Sequence, residues 1–246
     1  MIVNTHYPYI RGGGKLNFEY TGEYLEVSDN KGWRIKFLTS GTLTLKSKAT
    51  VDVFLVGGGG GAYANSGGGG GGGYTKTVTK LELEAGSYQI NIGAGGTVET
   101  DGSVTSAFNQ TANGGKAGAR FASGAGGSGG GSYSANASSP FYPAGKGGSD
   151  GNNGEGTTQN PGGVGQGTTT KEFGESDGEL YAGGGGGSYA SGSGYGAAGG
   201  AGGGGAGRNQ GVAGESGTPN TGGGAGAGCG PSGTGGSGIV VVRIAK

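Results

Sequence analysis

Alternation between apolar and polar positions organises the first hundred residues. Trp33-Arg34-Ile35-Lys36-Phe37-Leu38 has the two-residue period of a half-buried strand, and the turn signal Asp29-Asn30-Lys31-Gly32 joins it to a strand over Tyr24 to Val27, giving a hairpin. Ser40-Gly41 turns the chain into Thr42 to Lys46. Val51-Asp52-Val53-Phe54-Leu55-Val56 is apolar at nearly every position, the pattern of a strand covered on both faces. Tyr74 to Leu83 alternates, Glu84-Ala85-Gly86-Ser87 reads as a turn, and Tyr88 to Ile92 completes a second predicted hairpin. A short strand is expected over Val104 to Phe108, and Ile239-Val240-Val241-Val242-Arg243-Ile244 closes the chain with a strand that returns to the β core. Residues 1–23, with Pro8 and Gly12-Gly13-Gly14, read as an irregular N-terminal docking or tail segment, and 24–246 as one glycine-rich domain with a β core of about 24–56, 74–108 and 239–244.

Between the strands the period changes to three. From Gly196 to Gly226, glycine stands at 196, 199, 202, 205, 211, 214, 217, 223 and 226, and only Arg208 and Asn220 break the step. Three residues per turn is the period of an extended left-handed helix without internal hydrogen bonds. Its N–H and C=O groups point sideways and pair with neighbouring helices only where no Cβ holds the backbones apart. The pattern predicts a bundle of polyglycine II helices over about 57–73 and 114–238. The runs Gly57 to Gly61 and Gly67 to Gly73, separated by Ala62 to Ser66, form an antiparallel pair within it. On this phase Gly199, Gly202 and Gly214 lie on buried ridges and Ala197 and Ala201 point outward. The same step recurs from Ala112 to Gly130 with Phe121 as an intruder, and over Gly145, Gly148, Gly151 and Gly154 with polar residues between. The fold class expected is all-β: a small jelly-roll-like β-sandwich fused to a polyglycine II bundle, with almost no α-helix.

Composition sharpens this picture. With 72 glycines in 246 residues and only 30% of positions hydrophobic, a large apolar core is not available. Collagen is excluded by the 6 prolines and by glycine runs that ignore its triplet. A disordered linker is disfavoured because the three-residue step keeps its phase and strands bracket it. A formal net charge of zero and a pI near 6.6 favour neither nucleic acid nor an anionic membrane surface. Cys229 is the only cysteine, so no intrachain disulfide forms. The N-terminus lacks the pattern of a signal peptide and no run approaches 18 apolar residues, so membrane insertion is not expected and assembly in a cytoplasm is.

Catalytic chemistry finds little support. His6 is the sole histidine and sits in the N-terminal segment, which removes the usual nucleophile–base arrangements. Gly12-Gly13-Gly14-Lys15 is followed by Leu16 and is not a phosphate loop, and G-x-G-x-x-G matches carry no information at this glycine density. Glu172, Glu175, Asp177 and Glu179 read as a solvated loop. No catalytic residue, metal site or cofactor is expected, and the chain reads as a non-enzyme. The informative positions are aromatic and amide residues in the insertions between glycine segments: Tyr63, Asn65, Tyr133, Phe141, Tyr142, Tyr189 and Tyr195. Tyrosine gives a broad apolar face with a polar tip at low entropic cost, which suits recognition by loops on a rigid scaffold. The alternative is that these rings cap the bundle ends.

The order of segments resembles a known family. A strand Val51 to Val56 runs into Gly57 to Gly61. Gly67 to Gly73 then leads into Tyr74-Thr75-Lys76-Thr77-Val78, and Gly86-Ser87-Tyr88-Gln89-Ile90-Asn91-Ile92-Gly93-Ala94-Gly95-Gly96 follows, with Gly235-Gly236-Ser237-Gly238 before the last strand. This looks like the glycine-rich domain of bacteriophage tail and tail-fibre proteins, over roughly residues 33 to 246. The bundle with variable insertions is similar to the tail-tip adhesins of T-even-like phages, although their tryptophan-rich docking region is absent. A related pairing of strands and glycine helices occurs in the anaplastic lymphoma kinase receptor, whose cysteines this chain lacks. The resemblance implies a virion tail protein assembled in the host cytoplasm, with a bacterial surface glycan or protein and other phage tail proteins as partners. A non-adhesive tail spacer is the alternative, and an ice-binding protein a minor one.

Overall fold

Ten strands build two five-stranded antiparallel sheets in the computed structural model, which describes residues 14–132, 170–188, 196–209 and 211–246. They are β1 (Phe18–Tyr20), β2 (Tyr24–Asp29), β3 (Gly32–Phe37), β4 (Gly41–Leu45), β5 (Ala49–Val56), β6 (Thr75–Leu83), β7 (Gly86–Asn91), β8 (Thr105–Ala107), β9 (Gln110–Ala112) and β10 (Ile239–Ile244). One sheet has the order β1-β4-β7-β8-β9 and the other β2-β3-β10-β5-β6. The protein is all-β: one 3-10 turn, Glu172–Gly174, is the sole helical element among the described residues.

The first expected hairpin forms, with Val27 opposite Arg34 and Asp29 opposite Gly32, whose φ of 101° suits glycine. The second does not. β6 pairs with β5 and β7 with β4, so Glu84-Ala85 carries the chain from one sheet to the other. Leu83 and Ile90 both point into the space between the sheets, and an alternating pattern fixes which face is buried without fixing which strand is the neighbour. Two strands lie where none was expected. Phe18–Tyr20, within the segment read as irregular, pairs with β4, and β9 pairs with β8 through a two-residue turn at Phe108-Asn109. Both turn residues have positive φ, 52° and 58°, the primed geometry that hairpins favour, reached here without glycine. Phe108 is held there by burial and by the edge of the Tyr88 ring at 5.5 Å.

Val51, Val53 and Leu55 face the inter-sheet core with Ile35, Phe37, Leu43, Ile90, Val240 and Val242. Their neighbours Phe54 and Val56 face the other way with Ile239 and Val241, and residues Phe173, Tyr181 and Ala182 of the 170–182 segment cover them. β5 and β10 are therefore buried on both faces, as the near-continuous apolar runs imply.

The 170–182 segment corrects the expectation of a solvated acidic loop. Glu172 is only 4% exposed, and it forms ion pairs with Arg34 and Lys36 of β3. Arg243 of β10 bonds Asp52 at 3.1 Å and Glu175 at 2.9 Å, with its guanidinium 4.0 Å from the Phe173 ring centre. Lys36 pairs with Glu179, and Lys31 with Asp177. Carboxylates spaced along this segment meet cations that alternate with apolar residues on the outer face of the sheet, and buried charges are tolerated when so paired. Burial, followed by the charges of Glu172 and Glu179, pushes the Tyr181 phenol up, so it stays a neutral hydroxyl against Glu172.

Beyond the sandwich, the glycine segments pack side by side in a hydrogen-bonded lattice. Gly57 and Gly60 donate to Tyr74 and Gly71, Gly58 and Gly61 donate to Ser103 and Thr100, and Gly59 donates to Gly236. Successive N–H groups address three different neighbours and return to the first after three residues, which is polyglycine II geometry. The 67–74 segment is central. It donates to 113–119, 128–131 and 222–225, and accepts from 57–63, 124–127 and 185–188. A Cβ built at any residue of 57–61 or 67–73 would stand closer than 3.0 Å to a neighbour, backbone in nearly every case. Surrounded segments need glycine at every position, whereas outer segments such as 212–218 keep exposed side chains between the glycines that touch a neighbour.

The stretch 196–226 folds as four short segments, 196–201, 203–208, 212–218 and 222–226, joined by turns. Gly199 and Gly214 do sit on contact ridges, against the carbonyls of Gly204 and Gly226. Gly202 does not: it lies in a turn with φ 87°, and a Cβ there would meet the Tyr181 backbone. Ala197, expected to point outward, is 4% exposed, while Ala201 is exposed as expected. The turn at 201–203 shifts the phase between successive segments, so one register does not hold across the stretch.

Candidate receptor-binding end of the bundle

The strand β5 runs straight into Gly57, so the sandwich forms the base of the bundle. Each residue of such a helix rises about 3.1 Å, which carries Tyr63 roughly 19 Å beyond Gly57. Hydrogen bonding between 57–63 and 67–74 runs from Gly57–Tyr74 at the base to Tyr63–Gly68 at the far end. The loops 62–66, 97–99, 119–122 and 228–232 and the residues 208–209 are brought together at that distal end, because each joins or ends segments whose other ends contact the sandwich or the turns beside it.

Tyr63 and Asn65 of the sequence reading are both there. Ser66 N–H donates to Gly228 O at 2.8 Å, Asn65 N–H to Gly230 O at 3.4 Å and Tyr63 N–H to Gly68 O at 3.2 Å. Ser232 Oγ donates to Tyr63 O, and Glu99 accepts from the Ala64 N–H at 3.4 Å. Asn65 and Ser66 have φ of 52° and 75°, which lets the chain reverse in four residues, and Asn tolerates that region better than most. The Asn65 side chain is exposed and the Tyr63 ring half-buried over Gly67. Tyr133, Phe141, Tyr142, Tyr189 and Tyr195 lie outside the described residues; their described flanks Ser132, Ser188 and Gly196 are at the distal end, where Ser188 N–H donates to Gly67 O.

The structure adds residues that the sequence reading did not select. Arg120 and Phe121 occupy the turn between 113–119 and 122–127, with the Ala119–Ala122 bridge closing it. Phe121 is 49% exposed and carries the Arg120 guanidinium 5.0 Å from its ring centre. Arg208, ion-paired with Glu215, and Asn209 lead into another distal turn, near which Val212 is 49% exposed. The signal for them was present: Phe121 and Arg208 are intruders in the glycine step, and an intruder marks the place where a helix ends. Asn220, with φ 60°, marks a turn at the base in the same way.

Among the described residues no group of His, Cys, Asp or Glu is placed to hold a metal ion, and no helix is long and apolar enough to cross a membrane.

A two-sheet sandwich continued by a hydrogen-bonded glycine lattice defines a glycine-rich domain. The glycine-rich domain family matches residues 38–245, and the chain belongs to that family. A comparison with curated proteins finds no match.

Proposed function

We propose that this protein is a host-recognition component of a bacteriophage tail or tail fibre, an adhesin that binds a bacterial surface glycan or protein through the distal loops of its glycine bundle. The observation that carries this reading is the concentration of loops with exposed aromatic, amide and cationic side chains at the end away from the sandwich, on a scaffold whose backbone is fixed by inter-segment hydrogen bonds. Loops on a rigid support are where recognition usually resides, and little ordering entropy remains to be lost on binding. The resemblance to phage tail proteins supplies the partner class, with other tail proteins at the base and no cofactor or catalysis involved.

The test is attachment of the fluorescently labelled protein to candidate bacterial cells. Joint replacement of Tyr63, Asn65 and Phe121 by alanine is expected to weaken attachment at least tenfold while leaving the melting temperature within a few degrees, because aromatic anchors dominate most interfaces. A companion variant with Tyr133, Phe141 and Tyr142 replaced is expected to do the same. Undiminished attachment by both folded variants would overturn the distal-end reading and favour a passive spacer.

A further inference from the structure

On the flank of the bundle, reaching from the start of β6 at the sandwich towards the 97–99 loop, a groove of about 400 Å³ opens between the 100–103 and 113–117 segments, lined by Tyr74, Asp101, Val104, Asn113, Gly114 and Lys116. Its apolar wall is unusual for this surface: Val104 is 47% exposed, and the half-buried Tyr74 ring stands beside it. Its charges cancel, because Lys116 Nζ donates to Asp101 Oδ2 at 2.7 Å, while Asp101 Oδ1 accepts the Ala117 N–H at 2.8 Å. Both Asp101 oxygens are thereby fixed in orientation. Uncommitted hydrogen-bonding groups converge on the same space. The Tyr74 hydroxyl and the Asn113 side-chain amide make no hydrogen bond among the described residues, the hydroxyl interacting with Lys116 through its charge alone. Neither does the Gly114 N–H: the three-residue step turns it to the side that Ala117 N–H addresses, and Asp101 takes only the latter.

We infer that this groove is a binding site for a neutral hexopyranose unit, with Tyr74 and Val104 against the apolar face of the sugar ring and Asn113, Gly114 N–H and the Asp101–Lys116 pair on its hydroxyls. The chemistry separates this class from its competitors. A phosphate or other anion would face a lysine already neutralised by Asp101. An extended peptide would need a row of free backbone groups, and here Gly102, Gly115 and Ala117 N–H are already bonded, which leaves one. A sugar matches what remains: one aromatic and one aliphatic surface, with a few converging donors and acceptors that fix orientation. Glycine at 114 lets its backbone pack against the Gly102 carbonyl, which a Cβ there would strike, and so holds the two walls of the groove together.

This site does not rest on the distal-end reading, and its test is separate. The amide spectrum of the ¹⁵N-labelled chain is followed by NMR during titration with the methyl glycosides of glucose, galactose, mannose and N-acetylglucosamine. At least one is expected to shift the resonances of Gly102, Gly114 and Ala117 saturably, with a Kd on the order of millimolar, while Asn65 and Phe121 stay still. Tyr74→Ala is expected to weaken binding about tenfold or more, and Asn113→Ala and the milder Tyr74→Phe to weaken it less; the same spectra report whether each variant is folded. Absence of saturable shifts with every glycoside, or equal affinity in folded Tyr74→Ala and Asn113→Ala variants, would overturn the assignment. Shifts confined to the distal loops would overturn it too, while supporting the adhesin reading.

Discussion

A single methyl group decides stability at many positions of this chain. A side chain at Gly199 or Gly214 would meet the carbonyl of Gly204 or Gly226, residues whose own N–H groups are bonded to Gly200 O and Glu215 O, so neither neighbour can move away alone. Gly199→Val or Gly214→Val is expected to cost about 2 kcal/mol or more, in the range of overpacked cores, whereas Ala201→Val, at an exposed turn position, should stay within about 0.5 kcal/mol. Thermal melts followed by circular dichroism check the contrast; equal melting temperatures would refute the contact ridges. At Gly202 the same replacement is costly for another reason, a φ of 87° that valine avoids. Asp52 is a residue of comparable weight. It bonds Arg243 on one side and, at the bulge between β5 and β6, accepts the Lys80 N–H at 3.0 Å, where Lys80 has φ of 54°. Arg243→Ala would leave that carboxylate buried with no cation, and is expected to cost about 3–5 kcal/mol in denaturant unfolding. An Asp52→Asn, Arg243→Met double variant should recover part of it.

At the scale of the element, the 170–182 segment behaves as a strap whose attachment depends on ionised carboxylates. For Glu175, partial burial alone pushes the carboxyl up, and hydrogen bonds from Lys246 and Arg243 with their positive charges outweigh it, holding it below its usual range. A carboxyl depressed in the folded state contributes stability that is complete above its unfolded pKa and is lost as pH falls through its folded value. The strap is therefore expected to loosen below about pH 4.5, with Phe54, Val56, Ile239 and Val241 becoming accessible. Binding of a hydrophobic dye during acid titration measures this, and Glu175→Gln should flatten the low-pH loss while costing under about 1 kcal/mol at pH 7, since the group is partly exposed. No increase in dye binding before global unfolding would refute a separable strap.

At the scale of the whole molecule, order in the distal half comes from backbone hydrogen bonds more than from side chains. Each lattice bond contributes a net ~1 kcal/mol, against the larger ordering entropy of glycine, so the segments hold only as a mutually bonded set. Hydrogen exchange should show this: the amides of Gly69 to Gly73 and Gly224 to Gly226 are expected to be protected to within about tenfold of those in β5 and β10. Exchange of those glycines at the rate of free peptide would show that the bundle is not a rigid support, and the proposed recognition end would lose its physical basis.

The sequence by itself determined the all-β class, the strands β2 to β8 and β10, the existence of a polyglycine II bundle and the place of the loop carrying Tyr63 and Asn65. These rest on local periodicity: two for a strand with one wet face, three for a helix bonded sideways. Tertiary structure alone decided the rest. Which strand pairs with which is not written in an alternating pattern, and so β6 and β7 part to opposite sheets. The register of each glycine segment depends on turns such as 201–203 that reset the phase, which moved Gly202 off the ridge and Ala197 onto one. Glu172 and Glu175 look like solvated residues until the cations of β3 and β10 are brought against them. The flank groove at Tyr74, Val104 and Asn113 exists only where a strand start, a loop and a glycine helix meet, and no single segment of sequence records that meeting.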